Sequence, residues 1–104
     1  MKRTHTFIED GTRYDADDIL LRQGFCQVDT GQDFSGYGNW IHLDTLKGVT
    51  FAEGDLYQME FETPDEMKGW LEGLIDIKHI DCGIRNREHN LSRANDLGIA
   101  HLAA

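Results

Sequence analysis

Two groups of residues in this chain have types and spacings suited to chemistry. His42 and Asp44 stand two apart in the run Trp40-Ile41-His42-Leu43-Asp44. On a strand that spacing puts both side chains on one face. An imidazole beside a carboxylate can serve as an acid–base pair. The sequence ties no nucleophile to them, so Cys26 or Ser35 would have to approach through the fold. His79, Cys82 and His89 form the second group, as candidate metal ligands. Zinc takes four ligands at recognised spacings. No CxxC or HxxxH pair occurs here, so Cys26 or Asp81 would have to complete the set. The expectation is therefore a non-enzymatic protein with no cofactor and no metal. A small enzyme or metal-binding domain built on His42 and Asp44, or on His79, Cys82 and His89, is the alternative.

A third stretch, from Gly31 to Gly38, is rich in glycine but lacks the Gly-Lys-Ser/Thr ending of a phosphate loop and the spacing of a dinucleotide fingerprint. Asp33 within it also disfavours phosphate. Phe34, Tyr37 and the following Trp40 suit the apolar anchors of a protein interface, where aromatic residues are enriched. The bland alternative is a hairpin loop with Phe34 tucked into the core.

The charge distribution is more telling than any motif. The chain has 104 residues and a formal net charge of −9, from 19 acidic and 10 basic side chains. Nine of the acidic residues and only two of the basic ones lie between positions 51 and 81, whereas positions 82–104 carry a small positive excess from Arg85, Arg87 and Arg93. Such a balance argues against direct binding to nucleic acid or an anionic membrane, because neutralising phosphates needs lysine and arginine. It suits docking on a basic surface of another protein. Glu53, Asp55, Glu60, Glu62, Glu66, Glu72 and Asp76 would carry the electrostatics, and Asp65 would extend the field. If Glu60 and Glu62 share a strand face they stand about 6.6–7 Å apart, close to two rise steps of a nucleic-acid strand at about 3.4 Å each. A solvated face that keeps the protein soluble accounts for the same charge, as does adaptation to a high-salt cell. The arginines near the C-terminus can pair with the acidic face of this chain or of a second copy in a homodimer.

In size and charge the chain resembles the small acidic inhibitors of phages and mobile elements, anti-CRISPR and antirestriction proteins among them. The resemblance is one of composition. It implies a DNA mimic or inhibitor that occludes the nucleic-acid-binding surface of a protein partner. An immunity or antitoxin protein that neutralises a nuclease toxin would show the same acidic face.

The elements that must position these residues centre on residues 63–77. Thr63 can cap a helix, Pro64 fits its first position and Glu66 its third. Met67, Trp70, Leu71, Leu74 and Ile75 then form one apolar stripe. Residues 56–62 alternate, with Tyr57, Met59 and Phe61 on the face that should meet this stripe. Further strands are expected at 25–29, 40–44 and 49–52. A hairpin is expected around Asp10-Gly11 within 4–14, and a short helix at 16–23 that ends at Gly24. Residues 78–83 read as a strand or a turn. Positions 82–104 read as a second helix, over 84–95, or a loosely packed tail. The sum is a single α+β domain over residues 1–104: a mostly antiparallel sheet of four or five strands, packed on one face by one or two helices. No apolar run approaches the length of a membrane span and no signal peptide is evident, so a cytoplasmic location with reduced Cys26 and Cys82 is expected.

Overall fold

The computed structural model describes residues 1–7, 19–30, 37–52, 55–74, 77, 79–81 and 87–103. The described residues form six strands: β1 (Lys2–Phe7), β2 (Cys26–Asp29), β3 (Tyr37–His42), β4 (Lys47–Ala52), β5 (Asp55–Glu60) and β6 (His79–Asp81). They form one sheet in the order β1-β5-β4-β3-β2-β6, with every neighbouring pair antiparallel. Helices α1 (Pro64–Glu72) and α2 (Arg87–Asp96) follow β5 and β6, and a 3₁₀ turn, Ala100–Leu102, ends the described chain. The class is α+β, as expected, with more strands than the four or five expected.

The central four strands run as a meander, each joined to the next in sequence. The two edges come from elsewhere. β1 pairs with β5, from Lys2 opposite Glu60 to Phe7 opposite Asp55. The expected hairpin instead paired this run with residues just beyond Asp10-Gly11, which lie outside the described residues. β6 pairs with β2, and Ile80 makes a parallel bridge to Ala103. Of the range 78–83, the described residues 79–81 form a strand, and of 84–95, the described residues 87–95 are helical. Between β3 and β4 the chain reverses through residues 43–46, where Leu46 adopts a positive φ of 55°.

Alternation along the strands assigns two faces. Register puts Arg3, Met59, Gly48, Ile41 and Cys26 in one row across the sheet. On this face α1 docks with Met67 and Leu71, which are fully buried against Ile41, Leu43, Met59 and Phe61. Ala94 of α2 and Ile99 complete that core. Gly48 lets this face close up: a Cβ would sit 3.2 Å from the Phe61 ring and 3.3 Å from the Met59 methyl, so those side chains would have to give way. The expected meeting of Met59 and Phe61 with the helix stripe is therefore found, with Phe61 and Trp70 rings 5.5 Å apart.

The opposite face holds a second cluster of Leu20, Trp40, Val49 and Phe51, with Phe25 and Leu56 packed at its rim. Residues 19–22 are helical, and Leu20 brings them onto this side. The expectation that both helices share one face is thus corrected: the sheet is sandwiched. Helix α1 opens as expected, with Thr63 Oγ1 accepting the Glu66 backbone N–H at 3.2 Å. It ends earlier, at Glu72 rather than Ile77. The Gly73 N–H bonds back to Gly69 and Trp70 carbonyls, and Leu74 N–H tightens the turn onto Leu71. Strand β5 also ends early, at Glu60. Among the described residues no helix is long and apolar enough to cross a membrane.

Candidate functional site

The histidines come first, because their partners decide what chemistry they can do. His42 does not pair with Asp44. Its Nε2 stands 3.0 Å from the Gln23 carbonyl and its Nδ1 accepts the Thr45 backbone N–H at 3.2 Å. A carbonyl can only accept and an N–H can only donate, so the ring is held as the neutral Nε2–H tautomer. Both nitrogens are committed. His42 clips the end of the 19–22 helical segment to the end of β3, and Phe25 packs edge-on against its ring. The acid–base pair expected from these two residues is not assembled.

Asp44 turns instead to α2. His89 Nε2 lies 2.7 Å from its Oδ2, and Arg93 Nε lies 3.1 Å from its Oδ1. Arg93 also donates to the Leu43 carbonyl at 3.3 Å. With each carboxylate oxygen holding a different partner, Asp44 fastens α2 to the β3–β4 turn. His79 pairs separately, 3.4 Å from Asp29 across the β2–β6 ladder. The two histidines of the expected metal set therefore face different carboxylates, and Cys82 lies outside the described residues. Among the described residues no group of three or more His, Cys, Asp or Glu side chains is placed to hold a metal. Cys26 is a buried thiol in the main core.

The acidic residues separate into two kinds. Asp29, Asp44 and Asp55 have histidine partners, the last with His5 at 2.6 Å. Glu66 holds the Met1 amino group at 2.7 Å. Glu60 sits between Lys2 and Lys47 in the register of its two neighbouring strands, so its field is partly cancelled. By contrast Glu62, Asp65 and Glu72 are exposed, and among the described residues none of them makes an ion pair. They lie along the outer side of α1 and its approach. Asp65 and Glu72 are seven residues apart on the helix, about 10.5 Å along its axis. The expected Glu60–Glu62 ladder is corrected: β5 stops before Glu62, and the exposed carboxylates follow the helix instead. Glu53 and Asp76 lie outside the described residues.

Of the expected aromatic anchors, Phe34 also lies outside them, and of Tyr37 only its backbone place in β3 is described. Trp40 is only 3 % exposed beneath the 19–22 segment, so it has no surface to offer a partner. Its strand is covered on both faces, and alternation alone could not say which side stayed open.

Sequence reasoning missed a cavity of about 310 Å³ on the α1 side of the sheet. Trp70, Leu74, Tyr57 and Met59 form its apolar walls, with Arg3, Asn39 and Thr50 as polar members. Arg3 lies over the Tyr57 ring, 4.3 Å from its centre. The Thr50 hydroxyl donates to Asn39 Oδ1 at 2.8 Å. The signal was present but faint: Asn39, Thr50 and Tyr57 fall in one row only once the registers of β3, β4 and β5 are known.

Comparison of the chain with protein-family models, with curated proteins and with solved structures finds no match.

Proposed function

We propose that this chain is a non-enzymatic binding protein that covers a basic, nucleic-acid-binding surface on a protein partner. The observation that carries the reading is the division among the carboxylates. The fold uses Asp29, Asp44, Asp55 and Glu66 in its own pairs and leaves Glu62, Asp65 and Glu72 exposed along α1 and the residues just before it. The spacing of Asp65 and Glu72, about 10.5 Å, is close to three phosphate steps of about 3.4 Å each. A rigid helix bearing carboxylates at that interval can occupy a groove lined for phosphates, and the rest of the net charge of −9 steers the encounter.

The test is charge reversal on the helix against a control on the sheet. Glu62→Lys, Asp65→Lys and Glu72→Lys together should slow association with a captured nucleic-acid-binding partner by about tenfold or more, with the loss shrinking as salt rises. Glu60→Lys, already flanked by lysines, should change it little. Equal association rates for parent and triple variant at low salt would refute the reading.

A further inference from the structure

The geometry points to a ligand site in the cavity between α1 and the sheet, for a small aromatic carboxylate. It is independent of the acidic outer face of α1. A cavity of about 150 Å³ holds one benzene ring, so about 310 Å³ admits a two-ring body with a carboxylate. Trp70, Tyr57 and Leu74 are each only half-buried. They leave aromatic and aliphatic surface inside a concavity, where a flat ring can stack.

The polar members fix the sign of the ligand. Arg3 rests on the Tyr57 ring, and among the described residues it meets no carboxylate. In a chain with 19 acidic and 10 basic side chains, that leaves a cation available to an incoming anion. Asn39 uses its Oδ1 to accept from Thr50, and among the described residues its amide N–H₂ donates to nothing. The Met1 amino group at the rim is already held by Glu66. The unused N–H groups of Arg3 and Asn39 are donors, and the only net charge among the two is positive, which favours an acceptor-rich anionic group. A carboxylate satisfies both, and the guanidinium fork suits it.

The site can be read in the full chain by two-dimensional amide NMR, with 2-naphthoate and its neutral isostere 2-naphthamide as probes. Binding of 2-naphthoate should shift the Trp70 indole N–H and the Asn39 side-chain amide saturably. The Trp40 indole, packed on the other face, should stay in place as an internal control. The carboxylate should bind about tenfold more tightly than the amide, as a charge-assisted contact requires. Arg3→Gln, at an exposed position, should abolish that preference while leaving the spectrum otherwise folded, and Asn39→Ala should weaken both probes. The site is refuted by equal binding of the two probes, by shifts at Trp40 matching those at Trp70, or by no saturable shift at millimolar concentration.

Discussion

Single residues show where this fold is under constraint and where it is not, and two glycines make the contrast. Gly24 follows the 19–22 helical segment with a φ of +92°, and a Cβ there would stand 3.2 Å from His42 Nε2. Alanine would meet both a left-handed backbone and the histidine clip. Gly24→Ala should cost about 1–2 kcal/mol from the backbone alone, seen as a lower urea midpoint. Gly69 lies in the middle of α1, and a Cβ there would have nothing within 4 Å. Gly69→Ala should instead raise stability by about 0.5–1 kcal/mol. Equal effects at the two sites would mean that this account of Gly24 is wrong. The need for a C-terminal stop at Gly24 is visible in sequence. The contact with His42 is not, because it joins residues whose proximity depends on how the helical segment crosses the sheet.

At the scale of elements, the junction of α1 with the start of β1 carries a pH dependence. For a chain whose amino group is that of Met1, Glu66 accepts its hydrogen bond, and this is the main reason the amine titrates above its ordinary range. Desolvation works against the shift, and the negative potential of Glu66 and Glu62 adds to it. A group whose folded pKa is raised contributes fully below its unfolded pKa and loses that contribution as pH rises through the folded one. Stability should therefore decline on the alkaline side of about pH 8, the ordinary amine range. Glu66→Gln should flatten that decline in urea titrations run on either side of it. A decline unchanged in the variant would assign it to other groups. Elements also show how far the pattern of residues could be read. The cap at Thr63 and the stripe from Met67 to Leu71 were legible because they are local. The early end of α1 was not, because apolar spacing continues past Gly73 while the Leu74 N–H already turns to the i−3 carbonyl of Leu71. The pairing of β1 with β5 was not legible either, since Lys2-Arg3-Thr4-His5 has no apolar alternation and its partners in β5 lie more than fifty positions away.

At the scale of the whole molecule, the described residues form a six-stranded sheet covered on both faces, in a chain with a net charge of −9. Two opposing salt effects act on it. Screening weakens internal pairs such as His89–Asp44 and His5–Asp55, but these are exposed by 37–59 % and each is worth little. Screening also relieves the mutual repulsion of the excess carboxylates. The second effect should win. Raising salt from about 10 mM to about 150 mM should stabilise the fold by about 1 kcal/mol, or about 4–8 °C in Tm. A falling Tm over that range would mean that the internal pairs dominate. The net charge and the α+β class were both legible in the sequence. The division of the carboxylates into paired and exposed sets was not, because it depends on which side chains the sheet registers bring together.

The strand order also sets a schedule for the nascent chain. β2 to β5 can zip into a meander as they emerge, each strand finding the one just made. β1 is translated first, yet its partner β5 follows only after residue 55. At about 5–20 residues per second, β1 waits seconds for β5 to be made. Lys2, Arg3 and His5 make that waiting strand a poor template for association with neighbouring chains, the same protection that charged residues give to sheet edges. The residues that hid β1 from pattern reading are thus suited to guarding it during synthesis.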